Sequence, residues 1–195
     1  VIIIAKFMRA SAIVLCLGKG FLQLWSHQDI LKKEIGWKLY KVGIITLSDK
    51  GAQGLREDTS GALIKELLPE NFQVVKQTIL PDDKEQLRSL LIDWCSVCDL
   101  LLTTGGTGLG VRDITPEVTL SIADKEVPGI TEGMRLFNLQ KTPFAMLSRA
   151  VCVQRGKTLI INLPGSPTGV SENLTYVLPI LPHALDILTD RKTEH

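Results

Sequence analysis

From Lys41 onward, short apolar runs alternate with stretches of helical periodicity. Val42-Gly-Ile-Ile-Thr-Leu47 is β-branched and lacks polar alternation, the pattern of a strand buried on both faces. Phe72–Leu80 and Cys98–Thr104 read as further strands, and Ala150–Val153 and Thr158–Leu163 flank an Arg155-Gly156 turn. Between them, residues 60–68 read as a helix that ends before Pro69. The helix over 83–94 places Leu87, Leu90, Leu91 and Trp94 on one face. Another begins with Thr115 as N-cap, Pro116 in the first helical position and Glu117 facing the positive end of the dipole. A final helix runs from about Val170 towards Leu188, with Pro179 and Pro182 marking a kink or break. Strands alternating with helices predict an α/β domain, three layers α/β/α around a mostly parallel sheet.

Ligands of such sheets bind beyond the carboxyl ends of the strands. Ser48-Asp49, Pro81-Asp82, the stretch Gly105-Gly-Thr-Gly108 with Asp113, and Asn162-Leu-Pro-Gly-Ser166 all follow strands, so four polar loops meet at one edge. Glycines in the third loop accept dihedrals that other residues avoid and expose backbone N–H groups, which suits a phosphate. Each piece also has a plainer reading. Asp82 or Asp83 can cap the next helix, with Glu85 three residues on from Asp82. Asp49 can close an Asx-turn, Asp113 can order its own loop, and Arg112 can serve either a phosphate or a neighbouring acid. Convergence on one edge favours a site.

Familiar nucleotide motifs fail. Gly156-Lys157-Thr158 lacks the earlier P-loop glycine, with Val151 in its place, and precedes a strand. A dinucleotide fingerprint starting at Gly106 meets Val111 where Gly or Ala is required, which counts against a Rossmann-type oxidoreductase. Cys95 and Cys98 have redox or metal spacing but no second pair, and they sit at a helix end, so they read as buried thiols. His27, His183 and His195 are scattered and suggest no histidine metal centre.

Composition narrows the classes. With 195 residues and 45% apolar content, the chain holds one well-buried domain plus an appendage. Its 22 basic and 21 acidic residues nearly cancel without a Lys/Arg run, so no nucleic-acid partner is expected. Four cysteines at irregular spacing make no disulfide scaffold, and a reducing cytoplasm is expected. Lys6 and Arg9 interrupt the apolar start, so no membrane span is expected. Ala10–Leu17 resembles a short signal-peptide core but lacks a small-x-small cleavage site, and Met8 offers a second start after Val1. Residues 1–40 therefore read as an N-terminal extension with no role assigned, and 41–195 as the functional domain.

Thr104-Gly-Gly-Thr-Gly108 with Arg112-Asp-Ile-Thr-Pro-Glu117, then Pro143-Phe-Ala-Met-Leu-Ser-Arg149 and Asn162-Leu-Pro-Gly-Ser-Pro167, resemble the molybdopterin adenylyltransferase family. That family comprises the bacterial MogA type and the G domains of larger cofactor-assembly proteins; the MoaB type and the molybdenum insertases share the fold. The resemblance spans about Lys41 to Leu188 in order and spacing, and leaves residues 1–40 without a counterpart. It implies transfer of AMP from Mg-ATP to the terminal phosphate of molybdopterin, with pyrophosphate released and the product passed to a molybdenum insertase. It also implies a homotrimer. By the same resemblance, Asp82 and Asp113 are the catalytic acids and hold Mg²⁺, and Ser48, Asp49, Gly105, Gly106, Thr107, Gly108, Thr115, Asn162, Pro164, Gly165 and Ser166 bind nucleotide or pterin. Ser166 and Asn162 suit hydrogen bonds to a ring edge. The alternative is a non-catalytic molybdopterin-binding carrier or scaffold of the same fold, MoaB-like.

Overall fold

A computed structural model describes residues 14–18, 21–25 and 38–190. The chain divides at Leu39/Tyr40 into two units. In the first, β1 (Val14–Gly18) pairs antiparallel with β2 (Phe21–Trp25), Val14 opposite Trp25. The readings made above of residues 1–13, and of His27 and His195, lie outside the described residues.

The second unit carries a six-stranded sheet. In chain order its elements are β3 (Tyr40–Leu47), α1 (Asp49–Ala52), α2 (Thr59–Leu67), β4 (Phe72–Leu80), α3 (Lys84–Cys95), β5 (Leu100–Thr104), α4 (Thr115–Ser121) and β6 (Lys125–Glu126). These are followed by α5 (Pro128–Leu139), a 3₁₀ turn (Pro143–Leu147), β7 (Cys152–Arg155), β8 (Thr158–Leu163) and α6 (Pro167–Val177). A second 3₁₀ turn (Leu178–Ile180) leads into α7 (Leu181–Leu188). The strand order is β4-β3-β5-β8-β7-β6. The pairings β3–β4, β3–β5 and β5–β8 are parallel, while β7 and β6 extend the edge antiparallel.

The apolar runs are two-sided, as their pattern requires. Leu100 and Leu102 join Val42, Ile44, Leu159 and Ile161 in a core completed by α2, α5, α6 and α7. Leu101, Ile45 and Ile160 face the other way, onto Leu87, Leu91 and Trp94 of α3 and Val118 of α4. Three layers result. The final helical segment is broken, not kinked: Pro179 falls in the 3₁₀ turn, and Pro182 takes the second position of α7, where its missing N–H goes unneeded.

Helix α4 corrects one expectation. Ile114 holds the N-cap position and Thr115 is the first helical residue, without a side-chain cap. The Thr115 hydroxyl is engaged elsewhere, donating to the Gly105 carbonyl at 2.9 Å. Helix α5, the 3₁₀ turns, α1 and β6 went unread in the sequence.

Gly43 sits where β3 meets α3. A Cβ placed there would lie 2.6 Å from Leu101 Cδ2 and 2.8 Å from the Trp94 ring. Gly43→Ala is expected to cost about 1–3 kcal/mol through overpacking. Urea unfolding should show a lowered midpoint with an unchanged slope, and an unmoved midpoint would contradict this packing.

Candidate active site

A cavity of about 460 Å³ opens at the carboxyl edge of β3, β4, β5 and β8. Its floor is the loop after β5. Gly105 and Gly106 have φ of 96° and 65°, the left-handed region in which a side chain is strained. Space demands glycine there as well: a Cβ on Gly105 would collide with the Leu47 carbonyl, and one on Gly106 with the Thr115 hydroxyl. Thr115 also donates its backbone N–H to the Gly106 carbonyl at 3.1 Å, which fixes the loop from below.

Ser48 caps α1 by accepting from Gly51 N–H at 3.0 Å. Asp49 beside it accepts the Asp82 N–H at 3.0 Å and takes Arg112 Nη2 on both oxygens, at 2.7 and 2.8 Å. The Asp82 amide, and secondarily Arg112, hold the Asp49 carboxyl below its ordinary range. Asp82 is pushed the other way, first by burial and then by the charge of Asp49; Asp113 adds to the effect, while Arg112 and the Asp49 amide oppose it. No side chain among the described residues donates a hydrogen bond to Asp82. Asp83 is the helix cap, accepting from Gln86 N–H at 2.9 Å, so the capping reading belongs to Asp83. Asp113 does order its loop, through Gly110 N–H to its Oδ2 at 2.8 Å. Its Oδ1 accepts no hydrogen bond among the described residues.

The first cavity thus gathers Ser48, Asp49, Asp82, Gly105, Gly106, Asp113, Gly165 and Ser166. Thr107, Gly108 and Pro164 line a second cavity, of about 400 Å³, on the far side of the glycine loop; Ser166 borders both. Two expected ligand contacts are buried instead. Thr115 lies beneath the loop. Asn162 is fully buried at a strand position facing Thr103: its amide donates to the Thr103 and Thr119 hydroxyls at 2.9 and 3.0 Å and accepts from Val151 N–H. It presents no edge to a ligand.

Sequence reasoning missed Asp58, which caps α2 through Gly61 N–H and accepts the Thr46 hydroxyl at 2.8 Å. The signal was local: an aspartate directly before Thr59-Ser60-Gly61 at a helix start. It also missed Met134, Arg135 and Phe144 of the second cavity, which come from α5 and the first 3₁₀ turn. Cys95, Cys98 and Cys152 are free, and burial pushes Cys98 up to about 11 and Cys152 up to about 12, so the Cys95/Cys98 spacing carries no reactive thiolate.

Five carboxylates, on Asp49, Glu57, Asp58, Asp82 and Asp113, line the first cavity against the cations of Lys50 and Arg56. Between such a surface and a polyphosphate, a divalent cation would offset the repulsion of like charges. Among the described residues no three His, Cys, Asp or Glu side chains could hold a metal ion on their own. Two carboxylates, Asp82 and Asp113, completed by substrate phosphates instead match the way Mg²⁺ is usually held.

The fold and this edge define an α/β protein with an acidic cavity over a glycine loop at the carboxyl ends of its strands. A model described as a probable molybdopterin binding domain matches residues 43–183. The chain is 41% identical over 152 residues to the molybdopterin adenylyltransferase of Helicobacter pylori strain J99, covering 75% of this chain and 86% of that protein. To the Escherichia coli K12 protein of the same name it is 39% identical over 143 residues, covering 70% and 73%. The crystal structure of the molybdopterin biosynthesis enzyme MoaB from Thermus thermophilus superposes with a TM-score of 0.75 at 48% identity, covering 80% of this chain and 100% of that one. This chain belongs to the molybdopterin adenylyltransferase family.

The two neighbouring aspartates separate on substitution. Asp83→Ala should lose about 1 kcal/mol as a missing cap. Asp82→Asn at neutral pH should leave the melting temperature unchanged or raise it. Because the folded-state pKa of Asp82 is raised, the folded protein binds more protons than the unfolded chain just above the ordinary carboxylate range. Its destabilising effect is therefore absent in acid and grows as pH rises through that window. Melting curves across pH check this, and a loss of stability in Asp82→Asn at pH 7 would contradict it.

Proposed function

We propose that this chain acts in molybdenum cofactor biosynthesis, transferring AMP from Mg-ATP to the terminal phosphate of molybdopterin. The observation that carries the reading is the pair of cavities meeting at one glycine loop, with Asp82 and Asp113 on the acidic side. The nucleotide phosphates occupy the first cavity and the pterin the second, which is the more apolar of the two. Asn138 on its wall is buried, and its Oδ1 has no partner among the described residues, a place for a ring N–H once side chains adjust.

A phosphate oxygen of molybdopterin attacks the α-phosphorus of ATP. The bond from that phosphorus to the oxygen bridging the β-phosphate breaks, and pyrophosphate leaves. The nucleophile is already ionised, so no general base is needed. Mg²⁺, when bound, screens the charges of the approaching phosphates. Asp82 and Asp113 would hold it, and the backbone from Gly106 to Gly108 offers N–H groups to the phosphate oxygens, so positioning supplies the rate. A cytoplasmic setting is supported by the free thiols of Cys95, Cys98 and Cys152. Among the described residues no helix is long and apolar enough to cross a membrane. The adenylylated pterin then passes to a molybdenum insertase. A homotrimer belongs to the same reading, and exposed Leu136 and Met146 offer apolar surface for contact between copies.

Asp82→Asn or Asp113→Asn should lower ATP-dependent pyrophosphate release on molybdopterin by about 10²-fold or more. Near-normal turnover in both would overturn the assignment, and tight pterin binding without product in the wild type would favour the carrier reading. Sedimentation should give three times the 21.5 kDa chain mass; a monomer would contradict the trimer.

A further inference from the structure

We propose that Arg149 is a positioning residue that pins the glycine loop and Asp113 from outside the loop. Its guanidinium spans both ends of that loop: Nε donates to the Gly108 carbonyl at 2.6 Å and Nη2 to the Asp113 carbonyl at 2.8 Å. Nη1 pairs with the Glu117 carboxylate in the first turn of α4. The Arg149 backbone N–H adds a bond to the Thr107 carbonyl at 3.0 Å. One residue therefore holds Thr107, Gly108, Asp113 and Glu117.

The planar fork is what makes this possible, since an ammonium is a single point and cannot serve three separated acceptors. The glycines of the loop have no side chains to hold them, and Asp113 fixes itself only to Gly110. Without Arg149, nothing else from outside the loop ties Gly108 or Asp113 by a hydrogen bond among the described residues. In the chain Arg149 lies between Ser148 and Ala150, which line the second cavity. Arg135, another lining residue, donates to the Ala150 carbonyl at 3.1 Å and the Ser148 carbonyl at 3.5 Å, gripping the backbone on both sides of Arg149. Whatever fills the second cavity thus bears on the segment that sets the phosphate loop.

The inference rests on reading that loop as the phosphate site, so its test has an arm that needs no turnover. Amide hydrogen exchange is followed in the nucleotide-free full chain for wild type, Arg149→Lys and Arg149→Ala. Both variants should exchange about tenfold or more faster over residues 106–113, with Leu159–Leu163 of β8 unchanged. In turnover with Mg-ATP and molybdopterin, Arg149→Lys should lose about 10²-fold in kcat, because a displacement near 1 Å has that effect. Added guanidinium should restore part of the activity of Arg149→Ala, which a merely structural loss would not permit. If Arg149→Ala does not fold, Arg149→Lys decides. Wild-type exchange and kcat in Arg149→Lys would overturn the proposal. Faster loop exchange with no turnover in the wild type would uphold the clamp and refute the catalytic reading.

Discussion

The site depends on the close approach of backbone to backbone at Gly105 and Gly106. The chain leaves β5 in a left-handed conformation, grazes the Leu47 carbonyl and rests on Thr115, with no room for a Cβ at either point. Gly165, after β8, lies against the same turn: a Cβ there would be 3.2 Å from Gly105 Cα. The ends of β3, β5 and β8 are thereby drawn together, and bare backbone becomes the partition between two cavities. Larger side chains at those positions would push the strand ends apart and narrow the cavity above them.

Charge is distributed around that partition in an unequal way. Asp49 is paired with Arg112 and accepts a backbone amide, so its negative charge is largely answered within the protein. Asp82, one amide away, is half-buried, has no side-chain donor among the described residues, and feels both neighbouring acids. A carboxylate left in that state is a poor contributor to folding and a good receptor for a cation.

Much of the frame was legible in the sequence, because the strands write themselves as β-branched, apolar-rich runs between turn signals. Phe72–Leu80 and Thr158–Leu163 were read with the bounds they have. Helix α5 was not, since its buried face mixes Ile130 and Met134 with Thr131 and Asn138 and its first turn holds Pro128 and Gly129. That polar admixture borders the second cavity, so the feature that hid the helix belongs to the site. Asn162 misled for the opposite reason. Beside a Pro-Gly turn it resembled a loop residue, yet the β5–β8 register sets it opposite Thr103, where hydroxyls and a backbone amide satisfy it. The second cavity draws on residues from 107 to 173, and no local motif spans that distance. Strand-end loops could be placed on one edge from sequence; which of their side chains face the opening was decided by packing.

The most direct test of the account is a crystal structure of the protein with Mg²⁺ and a non-hydrolysable ATP analogue. Its α-phosphate should lie within hydrogen-bond distance, about 3 Å, of the backbone amides between Gly106 and Gly108. The cation should touch Asp82 or Asp113 directly or through water. A nucleotide bound away from this loop, with both carboxylates left facing solvent, would contradict the central claim.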